Sequence, residues 1–172
     1  FETGDLTGWT AANGTVVAAT SHASDKTWLP TDGQYFALLS AGAPNVPVIL
    51  SQVFTASAGD ILQFQYFWDS GDYIGDWGKG LLTGPTGAIT LFSVSDSTYG
   101  SGFGGPWTLV EQPIASSGSY TLEFQVTNLS DDWYTSYVGV DDVTLTQAQV
   151  PVPGAAISTQ ALRIVMPKPV FS

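Results

Sequence analysis

The clearest pattern in the chain is period-two alternation. Tyr120, Leu122, Phe124 and Val126 alternate with Thr121, Glu123 and Gln125, as in a strand with one face buried and one wet. Leu62, Phe64, Tyr66 and Trp68 alternate in the same way with Gln63 and Gln65. Further strands are predicted over 15–20, 34–40, 48–55, 88–95 and 107–112, separated by turn signals such as Pro30-Thr31-Asp32-Gly33 and Ala58-Gly59-Asp60. No stretch places apolar residues at helical spacing. The predicted fold is all-β: a two-sheet antiparallel sandwich of jelly-roll type with an extended C-terminal tail.

One strand breaks its own period. In Tyr137-Val138-Gly139-Val140-Asp141-Asp142-Val143-Thr144-Leu145, Val138 and Val140 share a face, and so do Val143 and Leu145, but the pairs are out of step. One extra residue at Asp141-Asp142 brings both pairs to the core side, so a β-bulge is predicted there. Past this strand the composition changes. Residues 1–148 read as the sandwich, and 149–172 as a Pro-rich linker (Val150-Pro151-Val152-Pro153) followed by an apolar tail strand with Leu162, Ile164 and Met166 on one face.

Charge narrows the partners. The formal net charge is −11, with 15 acidic residues against 4 Lys and Arg, which argues against nucleic acid and anionic membranes and favours hard cations and neutral polysaccharide. Every acidic residue lies at or before Asp142, whereas Arg163 and Lys168 lie in the tail. There is no cysteine, hence no disulfide or thiol chemistry. No apolar run reaches the length of a membrane span. The first residue is Phe1, not Met, which predicts that a leader such as a secretory signal precedes it.

Four motifs recur in a familiar order: Phe1-Glu2-x-Gly4 with Trp9; Asp32-Gly33-x-Tyr35-Phe36-Ala37-Leu38-Leu39-Ser40; Gly59-Asp60-x-Leu62-x-Phe64-x-Tyr66; and Val140-Asp141-Asp142-Val143-x-Leu145. This series resembles secreted bacterial β-sandwich proteins of the PEP-CTERM type. More distantly it resembles carbohydrate-binding-module jelly rolls. The resemblance covers roughly the first 146 residues. It implies export to the cell surface or matrix, no catalysis, and a calcium ion between the terminal strands held by a glutamate like Glu2 and an aspartate like Asp141. Val150-Pro151-Val152-Pro153 stands where the PEP-CTERM type has Val-Pro-Glu-Pro, with Val152 in place of the Glu.

Three constellations are candidates for chemistry. Glu2, Asp141 and Asp142 are expected to hold structural Ca2+, which takes carboxylate and carbonyl oxygens in irregular geometry; a solvated acidic edge is the plainer reading. Tyr73, Trp77, Trp107, Trp133 and Tyr134, with Phe103 among them, sit in or near loops rich in Gly and Asp and are expected to stack on sugar rings, unless they only cap the core. Leu162, Ile164 and Met166 are expected to add a strand to a neighbouring sheet, unless the tail folds back. Asp69, Asp72 and Asp76 form an acidic loop without the spacing of an EF-hand. No acids stand apart as a glycosidase pair, and His22, the only histidine, has no nucleophile motif beside it.

The chain therefore reads as a non-enzyme: an extracellular structural or adhesive protein of the cell surface or biofilm matrix, clamped by calcium and able to self-assemble into filaments through its tail. A glycan-binding module is the alternative. A third reading, a glycoside hydrolase, lacks an acid pair. The expected partners are a second copy of the chain through residues 157–172, and polysaccharide.

Overall fold

The computed structural model describes residues 1–71, 75–100, 102–131 and 133–148. The linker and tail, with Leu162, Ile164 and Met166, lie outside the described residues. In chain order the strands are β1 (Thr10–Ala12), β2 (Thr15–Ala19), β3 (His22–Ala23), β4 (Thr27–Trp28), β5 (Phe36–Ser40), β6 (Val48–Ala56), β7 (Ile61–Asp69), β8 (Trp77–Gly84), β9 (Gly87–Ser95), β10 (Thr108–Pro113), β11 (Gly118–Thr127) and β12 (Tyr137–Thr146). A single helical turn, α1 (Asp96–Tyr99), follows β9. One antiparallel sheet runs β1-β6-β11-β8-β9 and the other β10-β7-β12-β5-β2; β3 and β4 form a separate ribbon. The molecule is the all-β sandwich that the alternation predicts. Among the described residues no helix is long and apolar enough to cross a membrane.

The alternating strands meet face to face. Leu62, Phe64 and Trp68 of β7 and Leu122, Phe124 and Val126 of β11 are almost fully buried, and Phe64 meets Phe124 edge-on at 5.0 Å. Burying each such side chain stabilises the fold by about 1.5–3 kcal/mol. The bulge in β12 is present. Asp141 pairs with Gln65 and Thr144 with Gln63, so one residue is inserted, and Asp142 takes a φ of 49°. Val138 and Val140 are buried, and Val143 and Leu145 pack against the same core.

Strand β8 lies where the alternation predicts no strand. Its sequence, Trp77-Gly78-Lys79-Gly80-Leu81-Leu82-Thr83-Gly84, carries glycines where a strand usually carries side chains. They are needed because large groups from other strands occupy the inward positions. A Cβ at Gly78 would stand 2.6 Å from Val138, and one at Gly80 2.5 Å from the Phe92 ring.

A second, smaller core lies on the outer face of the β10-β7-β12-β5-β2 sheet. Phe67 points away from the main core, yet it is 0% exposed, and it clusters with the buried Trp28, Phe36 and Leu38. The β3–β4 ribbon covers it.

The sandwich has two ends. At one, β7 finishes at Asp69 and β12 begins at Tyr137 opposite it. At the other, β12 finishes at Thr146 opposite Ile61.

Candidate glycan-facing end and strand clasp

The end where β12 begins carries most of the exposed aromatic surface. Trp77 opens β8, opposite Ser95 and Thr127, and is half-buried, with the Lys79 ammonium 4.2 Å above its ring. The neighbouring connection from β11 to β12 holds Trp133, 85% exposed, and Tyr134, 57% exposed. Phe103, in the connection after α1, is 57% exposed.

The base of the Trp133 loop is as fixed as its tip is open. Asp76 is 0% exposed. Its carboxylate accepts the Leu129 N–H at 2.7 Å and the Ser136 hydroxyl at 2.7 Å. Ser136 Oγ also accepts the Gly71 N–H at 3.0 Å, and Asn128 Oδ1 accepts the Ser136 N–H at 3.3 Å. The Asn128 and Ser136 carbonyls accept from Asn45 and Ala41. Asp76 is itself held by α1, where Asp96 accepts the Gly75 N–H at 2.6 Å and donates its own N–H to the Asp76 carbonyl. The loop thus presents an indole and a phenol from a hydrogen-bonded frame, and the acceptors in that frame are inaccessible to a ligand.

Of the aromatics singled out from sequence, Trp77, Trp133 and Tyr134 belong to this end. Tyr73 lies outside the described residues. Trp107 is engaged differently: it packs edge-on against Phe36 at 5.5 Å and Phe67 at 4.7 Å, and donates its indole N–H to the Leu29 carbonyl at 2.9 Å. Asp69 and Asp76, read from sequence as parts of one acidic loop, serve separate partners. Asp72 lies outside the described residues.

The ribbon is tied down by a group that sequence reasoning passed over. His22 Nε2 stands 2.7 Å from Asp69 Oδ2, and Ser24 donates to Asp69 Oδ1 at 2.8 Å. The imidazole is set among Trp28, Phe67 and Tyr137, with centroids 5.5, 5.8 and 4.4 Å away. Ser24 bonds to the aspartate and not to the imidazole, so no base is aligned on its hydroxyl, as a serine nucleophile needs. The group is a latch for the ribbon. A histidine in a Ser-rich loop gives no local sign of this, because Asp69 is 47 residues away.

Glu2 and Asp141 converge on one turn. Asp141, 2% exposed, accepts the Thr31 N–H at 2.6 Å, the Thr31 hydroxyl at 2.9 Å and the Asp32 N–H at 3.2 Å. Glu2 accepts the Gln34 N–H at 2.6 Å and the Tyr35 N–H at 3.3 Å. Because these two N–H groups turn to Glu2, β5 starts at Phe36 and not at the expected 34. Gly33, between the two sets, has a φ of 65°, and a Cβ there would fall onto the Glu2 carboxylate. Asp142 stands at the bulge beside them. Carboxylates suit a hard cation, and neither Glu2 nor Asp141 forms an ion pair among the described residues. Also among the described residues, no three acidic or histidine side chains gather into a metal set.

No family model and no curated protein matches this chain. Solved structures do resemble it. TmCBM61, determined in complex with β-1,4-galactotriose, superposes with a TM-score of 0.57 at 15% identity over 86% of this chain and 94% of its own. A structure from work on promiscuous carbohydrate-binding modules of the β-sandwich superfamily gives 0.59 at 14% identity, over 86% of this chain and 60% of that longer one. The xylan-binding domain CBM22-1 from Paenibacillus barcinonensis Xyn10C gives 0.51 at 14% identity, over 84% and 88%. At such identities the likeness is one of fold, and the fold is the jelly-roll sandwich of carbohydrate-binding modules.

Proposed function

We propose that this chain is a non-catalytic, extracellular carbohydrate-binding module. Its sugar platform is the end bearing Trp133, Tyr134 and Trp77. The observation that carries this reading is Trp133, 85% exposed on a loop whose base residues Asn128 and Ser136 are at most 1% exposed. Trp133 and Tyr134 stand exposed side by side, the kind of apolar patch that marks a binding site, and flat rings cover sugar faces well. The net charge of −11 points to a neutral glycan. Attachment to such a glycan at the cell surface or in the matrix is an adhesive role, in keeping with the PEP-CTERM resemblance. A glycan array tests the reading: binding by the intact chain, lost in Trp133→Ala and reduced in Trp77→Ala, supports it, and absence of binding to any glycan overturns it.

We propose that the clasp holds Ca2+ between the carboxylates of Glu2 and Asp141, with backbone carbonyls completing its oxygen shell. Asp141 favours this, as a buried carboxylate without an ion pair among the described residues. The ion would supply positive charge to that buried group and nothing to any reaction.

A further inference from the structure

Each sheet ends in two edge strands, and the four edges are not equally guarded. Exposed edges invite pairing with other chains, and proteins usually block them with short length, charge or proline. Strand β1 has 3 residues and β2 has 5. Strand β10 has 6, among them Glu111 and Pro113. Strand β9 has 9 residues, Gly-Ala-Ile-Thr-Leu-Phe-Ser-Val-Ser, without a charge or a proline. Residues Gly87 to Thr90 are exposed along it, Ile89 at 43%. Among the described residues, its guard is the register shift opposite Gly80 and Leu81.

We propose that the β9 edge accepts the segment 157–166 of a second copy of this chain as an added antiparallel strand. The segment suits the edge in length and chemistry. It is bounded by Gly154 before and Pro167 after, it has no acidic residue, and Leu162, Ile164 and Met166 recur at every second position. Its Arg163, with Lys168 just beyond, meets a body that holds all 15 acidic residues.

Where the described chain stops favours a second copy over the chain's own tail. Ala148 donates its N–H to Asp60 at 2.9 Å, and Ala58, in the same turn, donates to Ser117 at 3.0 Å. Gly118 lies beside Pro85, in the hairpin that starts β9. The chain therefore leaves the sandwich at the end where β9 begins. Its own tail, laid along β9 from there, would run parallel to it. Every pairing in the two sheets is antiparallel, the more stable arrangement per residue. A second copy's tail can enter from the other end and keep it.

Sedimentation velocity of the full chain over a range of concentrations tests this. Association is expected, and Ile164→Asp in the tail and Ile89→Lys on the β9 edge should each weaken it at least tenfold. Val17→Lys on the β2 edge, at a residue equally 43% exposed, should leave it unchanged. A synthetic 157–166 peptide in excess should dissolve the assembly. Circular dichroism of each variant confirms that it has folded. A full chain that stays monomeric overturns the proposal. So does association that survives Ile164→Asp, or that Val17→Lys weakens as much as Ile89→Lys does. Because no glycan is present, none of these outcomes bears on sugar binding.

Discussion

Ser136 donates its hydroxyl to the carboxylate of Asp76 at 2.7 Å, and neither residue is exposed to solvent. The two are 60 positions apart, and their contact fixes one end of the Trp133 loop while the Leu129 N–H on Asp76 fixes the other. Asp76→Ala leaves the buried Ser136 hydroxyl and the part-buried Leu129 N–H without that acceptor. A buried donor left unsatisfied costs about 1–3 kcal/mol, so the variant should lose about 3 kcal/mol in urea unfolding. Ser136→Ala should lose about 1–2 kcal/mol. Both should speed proteolytic cleavage within 128–136. A stability within error of the parent would show that the frame does not hold the loop.

The exposed and packed tryptophans should separate cleanly. Trp133→Ala removes an 85% exposed side chain and should change stability by no more than about 0.5 kcal/mol, while reducing glycan affinity by about tenfold or more. Trp107→Ala removes a ring wedged against Phe36 and Phe67. It should cost about 3 kcal/mol and leave the affinity of the folded fraction intact. Calorimetric titration with a bound glycan, beside thermal melts, distinguishes the two. The opposite assignment of effects would move the platform to the outer face of the β7 sheet.

Period-two stretches were readable in the sequence because one buried face imposes alternation, and the bulge was readable because it breaks that alternation. Strand β8 was not. Two of its inward positions, Gly78 and Gly80, are glycines because Val138 and Phe92 fill the space, and that information lies in distant segments. The ribbon was hidden for a similar reason: β3 and β4 have 2 residues each, too short for any period. In the site, exposed aromatics in Gly-rich loops were visible as candidates. The split between Trp133 and Trp107 was not, since it depends on which ring meets Phe67. Glu2 and Asp141 could be paired from sequence, whereas the Thr31–Tyr35 turn that joins them could not.

The clasp predicts two effects of different origin. Gly33→Ala places a Cβ on the Glu2 carboxylate and puts a side chain at a φ of 65°, where the backbone alone costs about 1–2 kcal/mol. A loss of about 2 kcal/mol or more is expected with or without metal. Calcium at a hundred times its dissociation constant should add about 2.7 kcal/mol, seen as a rise in melting temperature that a chelator reverses. Asp141→Asn should abolish that rise. Melting curves that overlay with and without chelator would leave the hydrogen bonds as the whole clasp.

Tyr66 gives the fold a sensitivity at high pH. Its ring stacks on Phe92 at 3.8 Å with planes 3° apart, and it joins the two sheets beside β10, opposite Thr108. Burial pushes the phenol above its ordinary 10.0, and nearby Tyr99 adds to the shift. The folded state therefore holds this proton more tightly than the unfolded chain. That contribution to stability is complete below about pH 10 and is lost as pH rises through the raised folded value. The urea midpoint of the parent should fall more steeply above pH 10 than that of Tyr66→Phe, which keeps the stack without the ionisable group. Between pH 7 and about 9 the two should differ by a constant amount, because neither state gives up the proton there. Parallel curves up to pH 12 would mean that the phenol ionises in the folded protein as readily as in the unfolded chain, and that the Tyr66–Phe92 stack leaves it open to water.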